Sequence, residues 1–187
     1  AASDVYKRQG YLSDIYNSLF AYLDKSSFSP KKRNVAIQGK IDGYPVDITP
    51  GRLQSDNSGD HSLWRNQART WCQTNIAEQI RIVQNSRCVD EIRLTKIWRN
   101  LNNLDFPSFY LELSVIRALD GNRSTSLAQN FVNVRHYLAN QLEGNLIIDP
   151  TRSTNRVSDD LTQGEKLAIA ASAERSLKKA TFQEVVW

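Results

Sequence analysis

The stretch that decides the fold of this 187-residue chain occupies residues 96–119 and reads KIWRNLNNLDFPSFYLELSVIRAL. From Phe109 to its end, the only strongly polar residues are Glu112, Ser114 and Arg117. Apolar side chains would therefore cover almost the whole circumference of a helix formed by this segment. A helix that is apolar on nearly all sides is buried, so the sequence predicts a buried helix here.

Pro107 marks the start of that helix, because proline suits the first helical position, where its missing N–H would have had no partner anyway. The unpaired amides of the first turn and the positive end of the helix dipole then surround Ser108 and Phe109. Such a helix terminus binds anions, and the Ser108 hydroxyl adds another donor. The sequence therefore predicts a phosphate site at this terminus.

Lys96 precedes that site on a second predicted helix. The apolar residues that recur there at helical spacing are Leu94, Ile97, Trp98 and Leu101. They predict a packed face, which leaves Lys96 on the opposite, polar face. A lone lysine in such a position is more often solvated than bound to a ligand, and the spacing by itself favours the solvated alternative.

Asp47 stands out in a predicted strand at residues 44–49. Strand alternation places Val46 and Ile48 on one face and Asp47 on the other, and aspartate is disfavoured in strands. These residues alone leave two alternatives, an exposed aspartate on an edge strand or a metal ligand. Residues 34–38 are predicted to pair with this strand as an antiparallel hairpin with a turn at 39–43.

The remaining turn and helix-capping signals in the sequence predict an α+β chain. Residues 50–60 are polar and contain glycine, which favours a loop. Beyond it the chain is predicted to be helical, with a helix capped at Thr74 or Asn75, the two helices described above, and further helices at 126–142 and 161–179. The segment from Asp149 to Asn155 is predicted to be a turn, with Asp149 as a structural residue.

Three strings together resemble the polymerase-β-like nucleotidyltransferases. They are EIRLTKIW (91–98) followed by PSFYLEL (107–113), VDITPGR (46–52), and IIDP (147–150) with Asn155 shortly after. The likeness is to the branch that holds 2′-5′-oligoadenylate synthetases, cyclic GMP-AMP synthase and bacterial CD-NTases, and it is closest to the bacterial members. It covers roughly everything after residue 10.

The resemblance implies an enzyme that joins ATP or other nucleoside triphosphates into cyclic or linear oligonucleotide second messengers, often in antiviral defence. The family's chemistry is phosphoryl transfer assisted by two Mg²⁺ ions, which three carboxylates hold. The implied domains are the C-terminal part of a nucleotidyltransferase palm, with a remnant antiparallel β-hairpin, at 10–75 and a helical bundle like the C-terminal domain of oligoadenylate synthetases at 76–187.

The resemblance also assigns roles to four residues. Asp47 resembles the third metal ligand and the catalytic carboxylate near the acceptor hydroxyl, and Lys96 the lysine that reaches the donor phosphates. Ser108 matches the hydroxyl that meets the triphosphate. Phe109 matches the aromatic residue that stacks on a nucleobase, although relatives often carry tyrosine there, which leaves base preference open. The alternative for Phe109 is a core aromatic.

This chain departs from the family pattern in its other two metal-binding carboxylates. In the family they form an Asp-x-Asp pair upstream of the third carboxylate, after a Gly-Ser turn. The chain contains no Gly-Ser dipeptide, and its aspartates before Asp47 are Asp4, Asp14, Asp24 and Asp42. One carboxylate cannot hold two magnesium ions. Residues 1–9 resemble translated sequencing adapter, so we expect a nucleotidyltransferase truncated at its N-terminus, which binds weakly and catalyses little.

Composition is compatible with this interpretation. The apolar content of 40% supports a real core, and 24 basic against 20 acidic residues give a net charge of +4, which mildly favours an anionic partner such as a nucleotide. Cys72 and Cys88 lack the spacing of a zinc site or a disulfide framework, which favours a reducing cytoplasm. His61 and His136 are isolated, and no apolar run is long enough to span a membrane.

Two alternatives to a messenger synthetase stay open. The first is a nucleotidyltransferase that extends an RNA end, which needs a wider acceptor groove and a more basic surface. The second is a non-catalytic, basic helical module that binds nucleic acid. A nucleic-acid module predicts binding that falls steeply with salt and shows little preference for nucleotides, whereas an enzyme predicts saturable triphosphate binding.

Overall fold

The computed structural model describes the backbone of residues 2–55 and 58–186 and the side chains of 11–55 and 58–186. The side chains of the segment predicted to be adapter-derived, 1–9, thus lie outside the described residues. The chain divides into two compact units, residues 1–77 and 78–187. Whether these correspond to a palm remnant and a synthetase-like helical domain stays a prediction.

Unit 1 consists of one long helix and two small antiparallel sheets. Its elements are α1 Ala2–Leu23, β1 Lys31–Lys32, β2 Ile37–Ile41, β3 Tyr44–Ile48, β4 Gly51–Leu53, β5 His61–Arg65 and β6 Thr70–Thr74. The strand orders are β1-β2-β3 in one sheet and β4-β5-β6 in the other. The single remnant hairpin expected from sequence is therefore only part of the β structure.

The predicted hairpin exists, but its first strand and its turn were placed wrongly. Strand β2 pairs with β3 in the register Ile41↔Tyr44, so the turn contains only Asp42 and Gly43. Both residues have left-handed φ angles, 51° and 83°. An Asp-Gly pair suits this conformation, which matches the twist of the flanking strands and closes the hairpin in two residues instead of five.

The prediction of a loop at 50–60 is wrong for its first part, where Gly51–Leu53 forms β4 and pairs with β5. Strands β5 and β6 were not expected at all. They are joined through residues 66–69, in which Arg69 takes a left-handed φ of 48°. Because this turn contains no glycine or proline, the sequence gives little indication of it.

Helix α1 contributes Tyr16, which is fully buried, to the core of unit 1. The Tyr16 hydroxyl lies 2.9 Å from two backbone oxygens, those of Arg33 and Ala36. Together with Phe28 and Ile37, Tyr16 forms the buried core of unit 1. Tyr22, near the end of the same helix, is instead 73% exposed.

Unit 2 is mainly helical. The elements from the unit boundary onward are α2 Ile76–Asn85, α3 Val89–Leu101, α4 Ser108–Leu119, α5 Leu127–Asn140, β7 Ile148–Asp149, β8 Arg152–Arg156, a 3₁₀ turn Val157–Asp160, α6 Gln163–Leu177 and α7 Gln183–Val186. The predicted helices at 126–142 and 161–179 are thereby confirmed to within two residues at each end. Among the described residues, no helix has the length and apolarity that crossing a bilayer requires.

The predicted burial of α4 is confirmed, since seven of its twelve residues are buried. It lies in a core to which α3, α5 and α6 also contribute. Trp98 of α3 is fully buried, and its indole N–H donates to Ser176 Oγ of α6 at 2.8 Å. This bond satisfies the one polar group of the indole ring.

The predicted packed face of α3 is wrong at two positions, because Ile97 and Leu101 are 48% and 51% exposed. The packed face instead carries the polar residues Glu91 and Thr95 beside Trp98. Thr95 Oγ1 donates to the Glu91 carbonyl oxygen at 2.7 Å, and Glu91 Oε1 accepts from Asn130 Nδ2 at 2.7 Å. Polar groups with such partners are tolerated in a core, which a hydrophobic pattern does not reveal.

Candidate functional site

Lys96 belongs to α3, and its side chain reaches across to α4. Its Nζ is 2.5 Å from Glu112 Oε1, and the two side chains are only 32% and 15% exposed. The solvated alternative for Lys96 is therefore wrong, because a carboxylate of the next helix pairs with the ammonium, and a role at a triphosphate stays a prediction. This ion pair places the Lys96 ammonium next to a side chain of α4.

Arg99 forms a second bridge between the same helices and was not recognised from sequence. Its Nη1 donates to the Phe106 carbonyl oxygen at 2.9 Å and to Ser108 Oγ at 3.2 Å. Arg99 follows Lys96 by three residues, so the two cations share one face of α3. That spacing was the available signal, and it places two basic side chains where both contact α4.

The first turn of α4 lies beside these cations. Pro107 is the residue before the helix, and its carbonyl oxygen accepts from the Leu111 amide at 2.9 Å. The amides of the three intervening residues precede the first helical hydrogen bond and have no carbonyl within the helix. Ser108 is exposed at this end. The terminus therefore combines a hydroxyl, open amides and the Arg99 guanidinium, all of which suit an anion.

The two aromatic residues after Ser108 have different environments. Phe109 is half-buried and packs against the core of unit 2 while keeping part of its surface exposed. Tyr110 is fully buried and meets Phe106 edge to face, with ring centroids 5.2 Å apart. Burial raises the pKa of Tyr110 to about 12, so its hydroxyl stays protonated. Only Phe109 of this pair has surface available to a ligand.

Asp47 belongs to unit 1 and is exposed on β3. Val46 and Ile48 are half-buried against the core of that unit, which confirms the predicted alternation along the strand. The register partner of Asp47 on β2 is Gln38, a neutral residue. Asp47 is therefore a solvent-facing carboxylate on a strand whose other face is packed.

The described residues do not fit a site for two magnesium ions. Within 11–55 and 58–186, no three His, Cys, Asp or Glu side chains come close enough together to hold a metal. Magnesium requires near-octahedral oxygen coordination, and Asp47 alone supplies at most a small part of it. The expected pair of ions thus has one candidate ligand in the described part of the chain.

Asp149, which the sequence marked as a structural residue, is 1% exposed and accepts four hydrogen bonds. Oδ1 accepts from the amide and hydroxyl of Thr151 at 2.8 and 2.7 Å. Oδ2 accepts from Gln79 Nε2 at 3.0 Å and Asn155 Nδ2 at 3.2 Å. The structural interpretation of Asp149 is confirmed, since both of its oxygens bind neighbouring protein groups.

Neither cysteine is in a disulfide. Cys88 is buried at the start of α3, and burial, followed by the nearby Glu91 charge, raises the pKa of its thiol. Its Sγ donates to the Ser86 carbonyl oxygen at 3.3 Å. A protonated, buried thiol is a poor nucleophile and a poor metal ligand, so Cys88 is a structural residue.

Comparison with known proteins identifies one set of relatives. No protein-family model matches the chain. Two curated proteins, both named CBASS oligonucleotide cyclase CdnC, one from Escherichia coli strain KTE188 and one from Escherichia coli, are each 25% identical to it over 197 aligned positions. The match covers 91% of the chain but only 63% of each relative.

Two solved structures share the fold. The complex of E. coli MS115-1 CdnC with HORMA-deltaN matches with a TM-score of 0.58 at 20% identity, over 95% of this chain and 68% of the CdnC chain. The structure of the same CdnC with ATP matches with a TM-score of 0.61 at 19% identity, over 95% and 69%. The expected α+β nucleotidyltransferase fold is thereby confirmed.

Proposed function

We propose, from the premise that this chain is CD-NTase-like in sequence and fold, that it is part of a nucleotidyltransferase that makes oligonucleotide second messengers from nucleoside triphosphates. The observation that carries the proposal is the paired bridging of α3 and α4, Lys96 to Glu112 and Arg99 to Ser108. Through these contacts Arg99 reaches a hydroxyl at the start of α4, and Lys96 reaches Glu112 about one turn further along the same helix. The relatives' name supports a role in CBASS antiviral defence.

In this proposal the triphosphate binds at the first turn of α4. Lys96 and Arg99 contact the donor phosphates as cations, and Ser108 donates its hydroxyl together with the first-turn amides. The exposed part of the Phe109 ring stacks on the nucleobase. Support comes from the ATP-bound CdnC structure, which shares the fold of this chain.

Asp47 is the residue proposed to bind magnesium. A carboxylate on a strand whose other face is packed is held firmly, and carboxylate oxygens are the ligands that magnesium prefers. We assign Asp47 as one of the metal ligands and the carboxylate nearest the acceptor hydroxyl. The proposal requires further carboxylates, which the described residues do not provide beside Asp47.

Replacing Lys96 with alanine is expected to weaken ATP binding to the chain by about tenfold, because each charge-assisted contact to a phosphate contributes roughly 1.5–3 kcal/mol. Isothermal titration calorimetry with ATP and magnesium measures this. Lys178→Ala is the matched control, since Lys178 pairs with Glu174 on the exposed face of α6. Equal affinity of the wild-type chain and Lys96→Ala would refute the triphosphate site.

The salt dependence of binding separates this function from a nucleic-acid module. A module that neutralises many backbone phosphates loses affinity steeply as salt rises and prefers long polymers over ATP. The proposed site instead binds ATP saturably and gains nothing from a longer strand. Tight, salt-sensitive binding of RNA or DNA with no affinity for ATP would favour the module.

Replacing Phe109 with leucine is expected to lower ATP affinity by about tenfold, because base stacking on an aromatic ring contributes roughly 1–3 kcal/mol. Leucine retains apolar packing against the core, so the fold is kept. Inorganic tripolyphosphate, which has no base, should bind the variant and the wild-type chain equally well. Loss of tripolyphosphate binding as well would show that Phe109 acts only as a core residue that shapes α4.

A further inference from the structure

The Lys96 ammonium, which the proposed function assigns to the triphosphate, already has a partner in this structure. Glu112 Oε1 accepts from it at 2.5 Å, and the carboxylate is 15% exposed. The Lys178–Glu174 pair has a similar distance, 2.7 Å, but its side chains are 72% and 62% exposed. Since water and salt screen exposed pairs, the Coulomb attraction within the partly buried Lys96–Glu112 pair is the less screened of the two.

The same carboxylate lies close to the proposed phosphate site. Glu112 follows Ser108 by four residues on α4, which places both on one face, roughly 6 Å apart along the helix axis. Arg99 Nη1 marks this face through its 3.2 Å contact with Ser108 Oγ. A triphosphate bound at Ser108 therefore brings its negative charge towards the carboxylate of Glu112.

Two effects then oppose anion binding at this point. The anion must take N–H donors of Lys96 that now serve Glu112, although an ammonium has three donors and can share them. The anion also meets the like charge of the Glu112 carboxylate in a partly buried setting, where the Coulomb interaction is weakly screened. Both effects depend on the charge of Glu112 more than on its shape.

We propose that Glu112 sets the affinity of the triphosphate site by holding Lys96 as a counterion until a polyphosphate takes the ammonium. The inference rests on the proposed function, because it assumes that Lys96 contacts phosphate. In this scheme Glu112 tunes the affinity for polyphosphates and takes no part in the chemical step.

The test is calorimetric titration of the 187-residue chain with ATP and magnesium, and with inorganic tripolyphosphate, in wild-type and Glu112→Gln proteins. Glutamine keeps the length of the side chain and an oxygen that accepts from Lys96, but it removes the charge. Glu112→Gln is expected to bind both ligands about threefold to tenfold more tightly. The matched control, Glu174→Gln, removes the carboxylate of the exposed pair and should leave both affinities unchanged.

A second measurement needs no substitution of Glu112. The Nζ resonance of Lys96, assigned by its absence in Lys96→Ala, should shift when tripolyphosphate is added, because the ammonium changes partners. Tripolyphosphate binding without such a shift, or affinity of Glu112→Gln equal to or below that of the wild-type chain, would overturn the inference.

The two proposals fail in different ways. If the wild-type chain binds ATP and Lys96→Ala loses that binding, the proposed function survives whatever Glu112→Gln does. If neither the wild-type chain nor Glu112→Gln binds tripolyphosphate, the phosphate site itself is refuted, and the counterion role of Glu112 is refuted with it.

Discussion

Replacing Asp47 with asparagine is expected to abolish oligonucleotide synthesis by an active nucleotidyltransferase that contains this chain. An amide is a far weaker magnesium ligand than a carboxylate, and it is not a base. The side chain is exposed on β3, so the substitution should leave the melting temperature unchanged. Incubation with radiolabelled triphosphates and magnesium, followed by separation of the products, measures the effect.

Asp42→Asn is the matched control for this experiment. Asp42 lies in the two-residue turn of the same hairpin and is also exposed, and asparagine tolerates its left-handed φ of 51°. We expect Asp42→Asn to retain full activity. Product formation by Asp47→Asn at the wild-type rate would show that Asp47 is merely an exposed strand residue, the alternative that its local sequence leaves open.

Replacing Asp149 with alanine is expected to destabilise unit 2 by about 2 kcal/mol, because it leaves partly buried donors without their acceptor. The carboxylate accepts from Gln79 of α2 as well as from Thr151 and Asn155 of the β7–β8 hairpin. Its loss therefore removes hydrogen bonds that join two separate elements. Urea unfolding followed by circular dichroism at 222 nm, which reports on helices, measures the change.

Asp149→Asn should have a smaller effect than alanine, since one oxygen remains to accept while the new NH₂ faces former donors. Asp120→Ala, at an exposed aspartate after α4, is the control for loss of an acidic residue and should change stability by less than about 0.5 kcal/mol. Equal stability of Asp149→Ala and the wild-type chain would mean that solvent replaces the lost acceptor, which contradicts its burial.

Local patterns in the sequence were sufficient to predict elements whose form depends mainly on their own residues. Pro107 and the apolar run that follows it predicted α4, and the same kind of evidence predicted α5 and α6. The alternation of Val46, Asp47 and Ile48 predicted which face of β3 is packed. In each case the relevant interaction is local or is a simple preference for burial. Such preferences are intrinsic to the residues and do not depend on the rest of the fold.

Contacts between distant segments were not accessible in this way. The packed face of α3 depends on Asn130, 39 residues from Glu91, and on Ser176, 78 residues from Trp98. The contacts of Lys96 with Glu112 and of Arg99 with Ser108 likewise join α3 to residues of the next helix. No periodicity within α3 predicts these partners.

The sequence by itself thus determined that this chain is α+β, where most of its helices lie, and that Lys96, Ser108 and Asp47 are candidates for phosphate and metal chemistry. Only the tertiary structure decided that Lys96 is paired with Glu112, that Arg99 contacts Ser108, and that Asp149 is a buried acceptor. The physical reason is that charge and hydrogen-bonding capacity belong to a residue, whereas the partner that satisfies them is set by the packing of whole elements.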